Sequence, residues 1–181
     1  MVFETERLLV RRAAAADADM FFELWNHPQV MGYVGFPRGL GLTLAEIEKK
    51  LQEQGPTVFD GRLVVIRKTT GERLGEAALH RPDETGIAET DVKLLPQFWG
   101  HKYGVEVKRG LVDYLFTHTN CTAVQATPNV RNIASIKMQE AVGGVRVGEK
   151  VYDIPPEMAG YRTAVHAYIY HVRRVDWERS R

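Results

Sequence analysis

The sequence has one cysteine, no long apolar run and almost no net charge, and each of these absences excludes a class of protein. Cys121 alone cannot form an intramolecular disulfide or a metal site built on paired cysteines. No apolar run approaches the roughly 20 residues that a membrane-spanning helix needs. A formal net charge of +1, from 24 basic and 23 acidic residues, gives no electrostatic basis for a nucleic-acid or membrane partner. The N-terminal residues lack the apolar core of a signal peptide, so we expect a cytoplasmic protein.

The hydrophobic patterning predicts alternating strands and helices within one domain, residues 1–181. The length and the 44% of hydrophobic residues suffice for one sizeable core. Alternating or clustered apolar residues predict strands at 6–12, 62–68, 73–81, 87–95, 122–127, 145–151 and 163–172. Helical spacing predicts helices at 14–26, 43–54, 104–118 and 132–142. Short turns between the middle strands favour an α+β fold around a largely antiparallel sheet.

Local signals refine three of these segments. Thr43 and Glu46 stand at capping-box spacing and predict the start of a helix. Residues 31–37 are rich in large apolar groups but predict an irregular segment. In the helix at 104–118, Val107, Leu111 and Leu115 share one apolar face, and we place Lys108 with the charged residues elsewhere on its surface. The histidines have no partner at ligand spacing, so we expect no metal.

Residues 92–106 carry the most informative pattern in the chain. They predict a strand that stops at Pro96, a loop with Gly100 and Gly104, and then the first turn of a helix. The first N–H groups of a helix have no partner within the helix and lie at the positive end of its dipole. Such an arrangement binds phosphate without a dedicated side chain. The segment therefore predicts a phosphate-bearing ligand.

A second polar pattern follows it in the next predicted helix. Asn132, Ser135 and Gln139 are spaced at i, i+3 and i+7, so they share one helical face. A polar stripe of this kind is common on surface helices. Its position after the phosphate loop is what makes it informative, because the order is strand, loop, helix, strand and second helix.

In this order the chain resembles the GNAT acetyltransferases, and within them the RimJ/RimL branch of ribosomal-protein N-terminal acetyltransferases. The motifs are Trp99-Gly100-His101-Lys102-Tyr103-Gly104, Thr5-Glu6-Arg7-Leu8 and Asn129-Val130-Arg131-Asn132-Ile133-Ala134-Ser135. The resemblance implies a mixed, mostly antiparallel sheet with helices on both faces and a splay between the family's fourth and fifth strands. It also implies acetyl-CoA as the acetyl donor.

The resemblance assigns the donor site residue by residue. The strand segment Val92, Lys93 and Leu94 would pair with the pantetheine arm. Backbone amides from Trp99, Gly100, His101, Lys102, Tyr103 and Gly104 would wrap the pyrophosphate. Asn132 and Ser135 match residues that contact the donor arm.

The transfer chemistry implied by the resemblance is direct attack of an amine on the thioester. Ser135 matches a hydroxyl placed near the thioester sulfur and is a candidate proton donor. The amine must lose a proton before it attacks, so a carboxylate is a candidate base. Glu89, Asp91, Glu149 and Asp153 are the candidates, with Glu89 and Asp91 on one strand face. A backbone N–H near Leu94 or Leu95 would meet the oxyanion.

The departures from the family pattern leave two questions open. Lys102 stands where the motif has its central glycine, and it keeps its amide available if its φ is negative. Its ammonium would then either assist phosphate binding or weaken it. The acceptor is a primary amine, with a protein or peptide N-terminus as the first hypothesis. A small-molecule amine or a non-catalytic acetyl-CoA-binding module are the alternatives, and a homodimer is possible.

Overall fold

The computed structural model describes all 181 residues as one α+β unit built on an eight-stranded sheet. The strands are β1 Phe3–Glu4, β2 Leu8–Arg12, β3 Leu63–Arg67, β4 Arg73–Leu79, β5 Ile87–Leu94, β6 Ala123–Ala126, β7 Val145–Tyr152 and β8 Val165–Arg173. The helices are α1 Ala18–Asn26, α2 Pro28–Met31, α3 Leu44–Gln52, α4 Tyr103–His118, α5 Ile133–Ala141 and α6 Arg174–Arg179. None of the six combines the length and apolar character that crossing a bilayer requires.

The sheet is antiparallel except at one junction. Its strand order is β1-β2-β3-β4-β5-β6-β8-β7, and only β5 and β6 run parallel. Helices cover both faces, as the side chains of β3 show. Leu63 and Val65 belong to the apolar cluster that contains α4, while Val64 between them belongs to the cluster of α1, α2 and α3. This alternation follows from the two-residue period of a strand, and it confirms the predicted fold class.

The predicted elements are observed with small shifts at their ends. The capping box is confirmed, because Glu46 N donates to Thr43 Oγ1 at 3.3 Å and Thr43 N donates to Glu46 Oε2 at 2.8 Å. The prediction of an irregular segment at 31–37 is wrong in its first half. Pro28 occupies the first position of α2, where its missing N–H costs nothing, and a 3₁₀ turn follows over Gly32–Val34. The patterning missed β1 and α6, which have two and six residues.

The parallel junction opens soon after it forms. β5 pairs with β6 only from Ile87 to Glu89, whereas its ladder with β4 continues to Leu94. β6 ends at Ala126, and the chain then follows β8 instead, since Tyr168 N donates to the Pro128 carbonyl at 3.0 Å. Pro128 lacks an N–H and cannot extend the ladder. The result is a V-shaped gap beside the second half of β5, at the junction where the resemblance predicts a splay.

Candidate active site

A cleft of 1630 Å³ begins at this gap and extends across the N-terminal ends of α4 and α5. We call it the outer cleft. It brings together every residue predicted to bind the donor except His101: Val92, Lys93, Leu94, Trp99, Gly100, Lys102, Tyr103, Gly104, Asn132 and Ser135. The imidazole of His101 instead stacks on Tyr103, with 5.6 Å between ring centroids. Only its backbone belongs to the loop that borders the cleft.

The backbone of β5 directs free polar groups into the gap. His80 N donates to the Glu89 carbonyl and Leu95 N donates to the Leu74 carbonyl, each at 2.9 Å. Because an antiparallel ladder alternates, the amides of Val92 and Leu94 point away from β4 and toward the gap. The carbonyl of Leu94 accepts a hydrogen bond from Trp99 Nε1 at 2.8 Å. The Val92 amide and carbonyl and the Leu94 amide remain for an extended ligand that pairs as an added strand would.

The loop before α4 adopts a left-handed conformation at two positions. Gly100 has φ +79°, and a side chain there would meet open space, so the backbone is accessible from the cleft. Lys102 has φ +62° and ψ 12° and is the only non-glycine residue with positive φ. The condition that its φ be negative is therefore not met. The left-handed conformation costs a non-glycine residue about 1–2 kcal/mol, which the surrounding contacts must offset.

A salt bridge from the N-terminal segment holds this strained loop. Arg7 Nε donates to Glu106 Oε2 at 2.7 Å, and Arg7 Nη1 donates to the His101 carbonyl at 3.2 Å. Thr5 Oγ1 donates to Glu106 Oε1 at 2.5 Å. Burial raises the pKa of Glu106, but the hydrogen bonds from Thr5 and Arg7 together lower it by a larger amount. The pKa of Glu106 therefore lies below its usual value. The carboxylate also lies in the first turn of α4, where the helix dipole favours negative charge.

The amide groups at the start of α4 face the outer cleft. The first intrahelical bond runs from Glu106 N to the Lys102 carbonyl at 3.2 Å, so the amides of Tyr103, Gly104 and Val105 precede it. A side chain on Gly104 would place its Cβ 3.1 Å from Met138 Sδ on α5. The glycine thus allows α4 and α5 to approach closely at the start of α4.

Asn132 and Ser135 lie at the start of α5. Asn132 caps the helix, since its Oδ1 accepts from Ser135 N at 3.1 Å. Ser135 is half-buried and lines both the outer cleft and a second cavity of 300 Å³, which we call the inner cavity. Val92, Asn132 and Met138 also line both. The Ser135 side chain therefore stands where the two spaces meet.

Charged groups from β5 line the inner cavity. Asp91 forms an ion pair with Lys93, and Lys93 Nζ also lies 3.0 Å from Glu76 Oε1. Burial raises the pKa of Asp91, but the charge and hydrogen bond of Lys93 and the charge of Arg62 together lower it, and the net shift is downward. Burial lowers the pKa of Lys93, whereas Glu76 and Asp91 raise it above its usual value. Glu89 is exposed and accepts a hydrogen bond from Gln125 Nε2.

Two of the four carboxylate candidates lie away from this cavity. Asp153 follows the end of β7, is exposed and lines neither cavity. Glu149 pairs with Arg146 and with His166, each at 3.1 Å. The structure thus brings Glu89 and Asp91 together with Ser135, and leaves Asp153 and Glu149 apart from them.

Lys108 is the residue of the inner cavity that the sequence reasoning missed. The sequence pattern predicts Lys108 on the charged surface of α4, but it is 1% exposed and hydrogen-bonds to Thr90 Oγ1. A signal was available. Lys108 precedes Leu111, Val112 and Leu115 by three, four and seven residues, and all three are buried, so it belongs to the apolar stripe.

Comparison with known proteins identifies the family of this arrangement. Residues 7–145 match the family model described as an acetyltransferase (GNAT) domain. An uncharacterized N-acetyltransferase p20 of Bacillus licheniformis is 28% identical over 146 residues, which cover 80% of this chain and 82% of that protein.

Two solved structures share the fold. The spermidine N-acetyltransferase of Vibrio cholerae, in complex with CoA and spermine, has a TM-score of 0.75 at 20% identity, with 94% of this chain and 98% of that one covered. The ribosomal-protein-S5-alanine acetyltransferase of Vibrio fischeri has a TM-score of 0.74 at 17% identity, with 97% of each chain covered.

Proposed function

Because the chain belongs to the GNAT acetyltransferase family and is an acetyl-CoA-dependent N-acetyltransferase, we propose that its acceptor is the α-amine at the N-terminus of a protein or peptide. The RimJ/RimL-like motifs favour this acceptor. The solved structures that share the fold include enzymes named for a ribosomal protein and for spermidine. At 20% identity or less, a shared fold does not choose between these acceptors, so the choice rests on the inner cavity.

The residues around the outer cleft fit acetyl-CoA. The free backbone N–H groups of Val92 and Leu94 can donate to the amide carbonyls of an extended pantetheine arm. The N–H groups at the start of α4 can donate to a pyrophosphate. The open space at Gly100 lets the backbone approach the phosphates. Bound acetyl-CoA supplies the activated thioester. We assign Val92, Lys93 and Leu94, the loop Trp99 to Gly104, and Asn132 with Ser135 to this binding site.

The charge balance of the inner cavity carries the choice of acceptor. Its carboxylates are Glu89 and Asp91, and Asp91 is already paired with Lys93. The positive charges of Lys93 and Arg162 also line the cavity. A site for a polyamine or an aminoglycoside needs an excess of negative charge to match several ammonium groups, and this cavity lacks one. The carboxylates of Glu89 and Asp91 can accommodate one ammonium group but not several.

The size of the cavity and the acidity of the acceptor support the same assignment. A volume of 300 Å³ lies at the small end of the range of roughly 300–1,000 Å³ for ligand sites. It suits the first residue or two of a peptide. An α-amine has a pKa of about 8, compared with about 10.4 for a lysine side chain, so more of it is neutral at physiological pH.

Ser135 is the candidate catalytic residue in this proposal. Its backbone N–H donates to Asn132 Oδ1, which fixes its position, and its hydroxyl lies between the two cavities. It donates a proton to the leaving sulfur. Because a thiol has a pKa of about 8.5, the leaving group needs only a weak proton donor. We assign no part in the reaction to Asp153 or Glu149.

A competition assay tests the acceptor. The protein is incubated with isotope-labelled acetyl-CoA and equal concentrations of a peptide with a free N-terminus, the same peptide with a blocked N-terminus and one internal lysine, spermidine and kanamycin. Mass spectrometry then counts the label on each amine. We expect the free α-amine to be acetylated at least tenfold faster than the others. Faster labelling of spermidine or kanamycin would show that the acceptor is a small-molecule amine.

A further inference from the structure

Lys108 and Thr90 form a buried polar pair between α4 and β5. Lys108 Nζ hydrogen-bonds to Thr90 Oγ1, and the two residues are 1% and 8% exposed. Both line the inner cavity beside Ser135. The partner of the lysine is thus a neutral hydroxyl rather than a carboxylate. A buried cation without a directly bonded counter-ion is costly, and such a group commonly becomes neutral.

The surroundings of Lys108 favour the neutral amine. Burial lowers the pKa of Lys108 to about 7, although Asp91 and Glu89 raise it. The facing residues of α5 are uncharged: Ser135, Met138 and Gln139. The other titratable and charged groups around the cavity are Tyr33, His80, Glu89, Asp91, Lys93, Tyr152 and Arg162. At neutral pH a large fraction of Lys108 is therefore free to accept a proton.

We propose that Lys108, acting through Thr90, accepts the proton that the acceptor's ammonium group loses before it attacks the thioester. This inference rests on the proposed function and supplies the base that the carboxylate candidates leave unassigned. Asp91 is a weak candidate because its ion pair with Lys93 stabilises its charged form. Glu89 accepts a hydrogen bond from Gln125 and lies on the exposed edge of the cavity.

The proton balance closes with groups that are present. The acceptor ammonium gives one proton to Thr90 Oγ1 as Thr90 gives its own to Lys108 Nζ, so the acceptor nitrogen gains a lone pair. That lone pair forms the C–N bond, the C–S bond breaks, and the sulfur leaves with the electron pair. The second proton of the nitrogen reaches the sulfur by way of Ser135. Lys108 then returns its proton to solvent.

Lys108→Met separates a proton-accepting role from a packing role. Methionine has a similar length and suits the apolar stripe of Leu111, Val112 and Leu115, so the fold is retained. Lys49→Met is the matched control, since Lys49 is exposed on α3 and lines neither cavity. For the wild type and the control, we expect kcat with a peptide amine to rise with pH through about 7.

In Lys108→Met this limb should move up to the acceptor's own pKa of about 8, because only amine that is already neutral can then react. Its kcat at neutral pH should fall by roughly 10²-fold, in line with the loss of a general base. An alkoxyamine acceptor, which is already uncharged at neutral pH, should restore most of the lost rate. A limb that stays near pH 7 in Lys108→Met, or an equal loss with both acceptors, would overturn the inference. Retained activity in the wild type alongside such a result would leave the proposed function standing.

A direct titration decides the inference even if the peptide proves to be the wrong acceptor. NMR of protein labelled at the lysine ε-carbons resolves each side chain, and the signal missing from Lys108→Met identifies Lys108. We expect this signal to titrate near pH 7. A midpoint near the ordinary lysine value of about 10.4 would overturn the inference, because Lys108 would then be charged throughout the working range.

Discussion

The indole nitrogen of Trp99 donates a hydrogen bond of 2.8 Å to the carbonyl oxygen of Leu94. This bond joins the end of β5 to the loop that precedes α4. It satisfies the one carbonyl at the end of the strand that would otherwise face the gap. The strand segment and the loop, which are the two halves of the proposed donor site, are thereby held in a fixed relation.

Trp99→Phe tests this connection. The variant keeps an aromatic ring but removes the donor, and a neutral hydrogen bond contributes about 0.5–1.5 kcal/mol. We expect the Kd for acetyl-CoA, measured by isothermal titration, to rise by roughly 2- to 10-fold. Tyr161→Phe is the control, because Tyr161 is exposed and lines neither cavity. Unchanged affinity in Trp99→Phe would show that the loop is positioned without this bond.

Lys102→Gly tests the left-handed position in the loop. Glycine adopts φ +62° without strain, so we expect the free energy of unfolding to increase by about 1 kcal/mol, measured by urea denaturation. Lys102 lines the outer cleft, where its ammonium would attract phosphate. Acetyl-CoA should therefore bind more weakly to the glycine variant and with less dependence on salt.

Lys102→Ala separates the two effects of that substitution. Alanine removes the charge but retains the strained backbone, so it should weaken binding without the gain in stability. Tighter binding of acetyl-CoA by both variants would mean that the Lys102 side chain obstructs the phosphates.

Ser135→Ala tests the proposed proton donor. The backbone N–H of residue 135 still donates to Asn132, so the helix cap and the binding of acetyl-CoA should be preserved. We expect kcat to fall by roughly 10-fold or more while the Kd for acetyl-CoA changes less than twofold. Asn132→Ala is the contrasting variant, because it removes the cap and should cost about 1 kcal/mol of stability. Full activity of Ser135→Ala would remove its hydroxyl from the mechanism.

Glu106→Gln tests the salt bridge between Arg7 and Glu106 that holds the loop before α4. The effect of this substitution on stability should depend on pH. The pKa of Glu106 is lowered in the folded protein, so its contribution to stability is present above its unfolded pKa and is lost as pH falls through the folded pKa. We expect the variant to lose about 1–2 kcal/mol at pH 7, since charge-assisted hydrogen bonds from Arg7 and Thr5 are weakened. Thermal unfolding should show a smaller difference from the wild type at acidic pH. An equal difference at both pH values would assign the loss to packing.

The elements of the fold were predictable because their patterns are local. The capping box at Thr43 and Glu46 and the apolar stripe of Leu111 and Leu115 can be read within a few residues of sequence. The short elements β1 and α6 could not be read in this way. β1 is defined by pairing with β2, and α6 is held by hydrogen bonds from Arg174 to the carbonyls of Phe116, Thr119 and Cys121. Both are tertiary relations.

The candidate site was predictable where a backbone motif defines it, and not where side chains from distant segments meet. The loop from Trp99 to Gly104 was recognisable, but the salt bridge that holds it joins Arg7 and Glu106, which are 99 positions apart in the sequence. The left-handed φ of Lys102 is likewise set by the chain's path and opposes the preference of lysine. Lys108 was misplaced because charged residues are usually exposed, and here a cavity and Thr90 override that preference.

Residue-resolved amide hydrogen exchange tests most directly the central claim that the gap beside β5 receives the acetyl donor. The amides of Asp91 and Lys93 bond to β4 and should exchange slowly with or without acetyl-CoA. Saturating acetyl-CoA should slow exchange at Val92, Leu94, Tyr103 and Gly104 by at least tenfold, since these amides face the gap and the cleft. Unchanged exchange at these four amides, with protection appearing elsewhere on the surface, would contradict the account.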